Sequence, residues 1–220
     1  AAGGSMDAFQ GYGALAQPEA VLLNYNVFMD GGVKVNLRGE RFCDELADIS
    51  GQGLRVLAQP EGVVWAVFDA AREAAVKDLI EYRDLLRLGA VKAAATVAEV
   101  AARIGCEEGV LAATLRTAEA AATGAAPDPF GRDFRRAAPL APPYRMVRIT
   151  GALFHTQGGL QLDAEGRVAK EDGGALPNFF AAGGTARGMS GEGASGYLPA
   201  AGLCSAVTLG RIAGRLAAAV

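Results

Sequence analysis

The chain has 220 residues, 51% of them hydrophobic, enough apolar surface for one sizeable core or two small ones. Its net charge of −3 offers no electrostatic footprint for nucleic acid. Three cysteines, Cys43, Cys106 and Cys204, lie too far apart for a metal or redox pair and read as small apolar residues of a reduced, cytoplasmic protein.

In chain order, Ala1–Ser5 reads as the end of a loop, with no signal peptide ahead of the fold. Val21–Met29 reads as a strand, Asp30-Gly31-Gly32 as a turn, and Val33–Asn36 as a second strand. Val63–Phe68 is another strand, ending at Asp69, which can cap a helix from Ala70 to about Glu81. Thr96 and Glu99 have the spacing of a capping box, apolar residues recur at helical intervals to Ile104, and Gly105 suits a C-cap. A further helix is expected from about Glu107 to Ala122, stopping at Gly124, with a loop from Pro127 to Pro143. Strands resume at Met146–Ile149, Leu160–Leu162 and Arg167-Val168.

The densest pattern closes the chain. Phe179-Phe180-Ala181-Ala182 reads as a short buried strand, a loop carrying Gly183, Gly184, Gly188, Gly191, Gly193 and Gly196 follows, and helical spacing begins near Leu198. Strand, glycine loop and helix N-terminus bring backbone close to a ligand, although glycines serve tight turns equally well. Arg211 and Arg215 in the apolar Ala200–Val220 segment argue against a membrane span.

Several of these words, in order, resemble the flavoprotein subunits of the fumarate reductase and succinate dehydrogenase superfamily. Gly32-Val33-Lys34-Val35-Asn36 with Gly39-Glu40-Arg41-Phe42 and Glu45 is similar to the segment leading into the family's capping domain. Asp128–Arg132 resembles a later part of that cap, and His155-Thr156-Gln157-Gly158-Gly159 resembles the return to the FAD domain. Asn178–Gly184, Gly188–Tyr197 and Leu209–Gly214 resemble the C-terminal end, closest to the tricarballylate-dehydrogenase-like or ketosteroid-dehydrogenase-like branch. The implied fold is α+β / α/β, a capping domain plus the last strands and helix of an FAD-binding Rossmann-like domain whose N-terminal half is absent. Residues 1–20 would lead in from the FAD domain, 21–145 form the cap, and 146–220 belong to the FAD domain. Gly11-Tyr12-Gly13 lacks the third glycine of a dinucleotide-binding motif.

The resemblance implies FAD as cofactor, with Gly183 and Gly184 near the ribityl chain and Ser195, Gly196, Tyr197 and Leu198 against the flavin. Many family members have Glu where this chain has Gly184. His155, the only histidine, matches a residue that binds a substrate carboxylate; its structural alternative is a histidine hydrogen-bonded to a backbone carbonyl. Tyr197 and Arg187 are further catalytic candidates, Glu192 flanks the same loop, and Arg132, Arg135, Arg136, Arg145 and Arg148 form a basic cluster able to attract an anionic substrate. Two arginines of fumarate-reducing members are missing. Leu46-Ala47-Asp48-Ile49 follows Glu45, and Gly193-Ala194-Ser195-Gly196 precedes the last helix. A carboxylate clamp needs a guanidinium fork, so fumarate itself is not the expected substrate.

The expected function is the C-terminal part of an FAD-dependent oxidoreductase acting on a small organic acid or enone. The alternative is a non-catalytic binding module derived from that region. No metal site is expected. The polypeptide alone is expected to bind FAD weakly, to be inactive, and to self-associate through an apolar face around Phe179, Phe180 and Leu203–Leu209.

Overall fold

A computed structural model of the chain describes residues 1–134 and 137–219. Its strands and α-helices run, in order, β1 (Gly3–Gly4), β2 (Phe9–Leu15), α1 (Asn26–Met29), β3 (Val33–Val35), α2 (Gln52–Leu57), β4 (Val63–Asp69), α3 (Ala70–Val76), α4 (Ile80–Arg87), β5 (Lys92–Ala94), α5 (Val97–Ile104), α6 (Glu108–Thr123), β6 (Tyr144–Thr156), β7 (Gly159–Leu160), β8 (Arg167–Ala169), β9 (Ala175–Phe180) and α7 (Ala201–Ala217). The fold is a mixed α+β one, with the pairs β1–β7, β3–β4, β4–β6, β5–β6 and β8–β9 antiparallel. The chain divides into two compact units, Tyr12–Ala152 and a second made of Ala1–Gly11 with Leu153–Val220.

The larger unit is built on a sheet of order β2-β6-β4-β3, with β5 also paired to β6. Alternation along β4 explains its two-sided burial. Val64, Ala66 and Phe68 join a cluster with Val27 and Phe28 of α1, Val56 of α2, Val76 of α3, and Tyr82 and Leu85 of α4. Val67, with Trp65 beside it, joins the opposite cluster with Val100 and Ile104 of α5 and Leu111 and Ala118 of α6. The helix ends follow local chemistry: Asp69 accepts the Arg72 N–H, Thr96 accepts the Glu99 N–H, and Gly105 and Gly124 close α5 and α6 in the left-handed conformation.

Three expectations are corrected here. Val21–Met29 is not a strand: only Leu22 makes a bridge, to Ala14, and one helical turn follows. The Asn24 side chain accepts the Asn26 N–H, a local turn that starts α1 and carries Val27 and Phe28 into the core. The helix from Ala70 breaks after Val76, because Leu79 takes an extended conformation and packs against the core before α4 begins. The last helix begins at Ala201, not near Leu198.

The smaller unit contains two short antiparallel pairs, β1 with β7 and β8 with β9, together with α7. The 3-10 turn Gly183–Thr185 follows β9. Phe179 on β9 is 54% exposed, so this strand is not the buried one expected from its apolar run. Leu203 and Val207 on α7 are exposed as well. No described helix is long and apolar enough to cross a membrane.

Candidate functional site

The smaller unit gathers most of the candidate residues. His155 lies one residue before the end of β6, and Gln157 just beyond it. Both line a small pocket of about 50 Å³ with Gly183, Gly184, Gly202 and Ser205. That volume admits a few water-sized groups. A second cavity of about 470 Å³ is lined by Arg187, Met189, Cys204, Thr208 and Leu209, and shares Gly188 and Ser205 with the first. Arg187 is exposed; its backbone N–H donates to the Leu160 carbonyl. The Tyr197 ring stands edge-on to the His155 ring, 6.4 Å between centroids.

The two glycine clusters do different work. Gly183, with φ +64°, and Gly184 have open space where a Cβ would project, so their backbone is uncovered on that side. A Cβ on Gly196 would instead fall 2.2 Å from the Gly191 carbonyl carbon, so the loop's own turn requires that glycine. The Gly191 N–H closes the turn on the Gly196 carbonyl at 2.7 Å. Ser195 and Leu198 are exposed, and the Leu198 N–H donates to Ser190 Oγ at 3.3 Å. Thus His155, Gly183 and Gly184 come together in one pocket, Arg187 lines its neighbour, and Ser195 and Leu198 lie outside both linings.

Two residues of the site were not singled out from the sequence. Gln157 is two positions from His155, and a side chain two residues on along extended chain points the same way. Ser190, which is buried and donates to Gln157 Oε1 at 3.1 Å, has no sequence signal beyond its glycine-rich surroundings.

The larger unit holds a buried charge network. Glu45, fully buried, accepts from Arg41 Nε at 2.9 Å, Arg41 Nη2 at 2.8 Å, Arg132 Nη1 at 2.7 Å and the Lys34 N–H at 3.1 Å. Asp128 accepts from Arg41 and from the backbone of Phe130 and Arg132. Burial alone would raise the Glu45 pKa, but the Arg41 hydrogen bonds and the charges of Arg41 and Arg132 hold it below the usual carboxylate range. Burial pulls the Lys34 ammonium down to about 8 and pushes the Cys43 thiol up to about 11. Lys34 Nζ donates to Gln52 Oε1 at 2.8 Å and sits 4.5 Å from the Phe28 ring centroid.

This network dissolves the basic cluster expected from the sequence. Arg132 is buried on Glu45, Arg145 pairs with Glu73 at 2.7 Å, and Arg148 pairs with Glu61 at 3.2 Å. These three charges are spent on carboxylates within their own unit. Arg135 and Arg136 lie outside the described residues.

Residues 11–208 match the family model described as FAD binding domain. The chain belongs to the FAD binding domain family. Its relatives place it in the fumarate reductase and succinate dehydrogenase flavoprotein superfamily. The fumarate reductase of Schizosaccharomyces pombe is 29% identical over 190 residues, covering 84% of this chain and 35% of that protein. The open form of a flavocytochrome c3 fumarate reductase superposes with a TM-score of 0.71 at 27% identity, over 100% of this chain and 38% of that one. The 3-ketosteroid-Δ4-(5α)-dehydrogenase of Rhodococcus jostii RHA1, solved with 4-androstene-3,17-dione, gives a TM-score of 0.66 at 25% identity, over 100% of this chain and 43% of that one. This member of the FAD binding domain family therefore spans well under half the length of these relatives.

Proposed function

We propose that the full-length protein is an FAD-dependent oxidoreductase that moves a hydride between the flavin and a carbon–carbon single or double bond of a small organic acid or enone. The observation that carries this reading is the convergence of His155 with the bare backbone of Gly183 and Gly184 on one pocket, in a chain of the FAD binding domain family. A flavin ribityl chain would run along the outside of that bare backbone, where no Cβ stands in its way. When bound, FAD supplies the hydride acceptor or donor. The chain's own residues would hold the cofactor by backbone at Gly183 and Gly184, shape the polar wall at His155 and Gln157, and line the adjoining cavity with Arg187 and Met189.

The substrate is not fumarate in this reading. Ala194 stands in the loop where fumarate-reducing members carry a clamping arginine, and its methyl group is buried. A methyl cannot hold a carboxylate. The full-length protein, purified with its flavin, should show bleaching of the oxidised flavin band with a saturated ketone or monocarboxylate, reoxidation of the reduced flavin by the corresponding enone, and no bleaching with succinate. Bleaching by succinate alone overturns the substrate assignment, and a protein that takes up no flavin overturns the class.

A further inference from the structure

The contacts of the His155 ring favour one place for its proton. Nδ1 lies 3.1 Å from the Thr156 carbonyl oxygen. Gln157 Nε2 lies 3.0 Å from Nδ1 and 3.4 Å from Nε2. A donor in the ring plane, aimed at one nitrogen's lone pair, stands far from the other nitrogen, because the two lone pairs diverge across the ring. Near-equal distances therefore put the Gln157 amide over the imidazole face, as an N–H group on a π-system. The Thr156 carbonyl can only accept, so the group facing it at Nδ1 is N–H. Nε2 is left with its lone pair.

The orientation of Gln157 follows from the next two links. The Leu198 N–H donates to Ser190 Oγ, so the Ser190 hydroxyl keeps its own proton to give to Gln157 Oε1. With the amide oxygen on Ser190, the NH₂ end is turned toward His155. Gln157 and Ser190 are 5% and 6% exposed. The Gln157 backbone is tied at both ends, its N–H to the Ala8 carbonyl at 2.8 Å and its carbonyl to the Gly188 N–H at 2.9 Å. A Cβ on Gly188 would fall 2.8 Å from Gln157 Oε1, so the loop closes over this side chain.

We propose that Gln157 is a positioning residue that, with the Thr156 carbonyl, holds His155 as the Nδ1–H tautomer, and that the bare Nε2 is the proton acceptor of the flavin reaction. This rests on the oxidoreductase reading above. In substrate oxidation one C–H bond leaves with its electrons as hydride to the cofactor. The neighbouring C–H gives its proton to Nε2, its electron pair becoming the new C=C bond, and His155 ends as imidazolium. Donation from a neutral Nε2–H to a carboxylate is the opposite assignment.

The test uses the fact that His155 is the chain's only histidine. The protein labelled with ¹⁵N-histidine is read by two-bond ¹H–¹⁵N correlation, which distinguishes the two neutral tautomers; in a longer chain the His155→Gln difference spectrum assigns the ring. The expected spectrum shows the Nδ1–H tautomer, shifting toward a tautomer mixture in Gln157→Leu and in Ser190→Ala. An Nε2–H ring, or a mixture already in the unsubstituted protein, overturns the positioning, whatever the activity. For the flavin-loaded full-length protein, His155→Gln should lower kcat about 10²–10⁴-fold. Gln157→Leu should lower it by up to about 10²-fold with little change in KM. An Nδ1–H ring with kcat unchanged in His155→Gln overturns the proton-acceptor role, while absence of any flavin turnover defeats the oxidoreductase reading and leaves the tautomer result standing.

Discussion

Replacing Glu45 by Ala probes the buried network that organises the larger unit. The carboxylate receives four hydrogen bonds, three of them from guanidinium groups, and is fully buried. Its removal leaves two buried cations. Among the described residues, Arg41 keeps Asp128, while Arg132 keeps the Gly32 and Phe28 carbonyls and the Phe134 ring face, and its Nε already lacks a partner. Taking one partner from a buried pair costs about 3–5 kcal/mol. In a chain of this size that corresponds to roughly 6–20 °C in Tm. Glu40→Gln is the control, because the Arg38–Glu40 pair is exposed on both sides and should contribute about 1 kcal/mol at most. Urea unfolding of both variants gives the comparison. A Glu45→Ala loss below about 1 kcal/mol, equal to that of the control, would mean that the buried network does not hold this unit together.

Other expectations concern protons, caps and association. Glu45 and Asp128 have depressed folded-state pKa values, so their stabilisation is present above the unfolded carboxylate pKa, about 4, and is lost as pH falls through the folded value; acid unfolding monitored by circular dichroism should set in below that pH, and later in Glu45→Ala relative to its own neutral-pH stability. Lys34 is the reverse case: with its folded pKa near 8, the unfolded chain binds more protons above that pH, so stability should rise from about pH 8 to 9, until the raised Cys43 thiol begins to oppose it, and Lys34→Met should flatten that rise. Thr96→Ala removes the acceptor of the Glu99 N–H and should cost about 1 kcal/mol by urea titration, with Thr96→Ser near neutral. Leu203 and Val207, 78% and 72% exposed, should drive self-association of the isolated 220-residue chain, and sedimentation should show a shift toward monomer in Leu203→Lys/Val207→Lys; a monomer before substitution would end that expectation.

Much of the larger unit was legible in the sequence because its signals are local. The continuous apolar run Val63–Phe68 and the Thr96–Glu99 cap spacing each rest on neighbours within a few residues. Val21–Met29 misled because its apolar and aromatic residues suit a strand, whereas a single Asn24 side-chain bond and the burial of Val27 and Phe28 decide for a turn of helix. Arg132, Arg145 and Arg148 looked like part of a free basic patch because their partners, Glu45, Glu73 and Glu61, are 72 to 87 residues away in sequence. In the smaller unit His155, Gly183 and Gly184 could be picked out by motif. Gln157 could have been found from its two-residue spacing, but its contact with Ser190 spans 33 residues through an irregular loop, which no periodicity encodes.

Flavin-dependent hydride chemistry at the His155 pocket is open to a direct test by anaerobic stopped-flow reduction of the flavin-loaded full-length protein. With a saturated ketone or acid deuterated at the hydride-donating carbon, flavin bleaching should follow substrate addition and slow measurably on deuteration. Under the same conditions His155→Gln should bind flavin normally and bleach about 10²–10⁴-fold more slowly. A flavin that stays oxidised with every such substrate, or bleaches at the same rate in His155→Gln, would contradict the account.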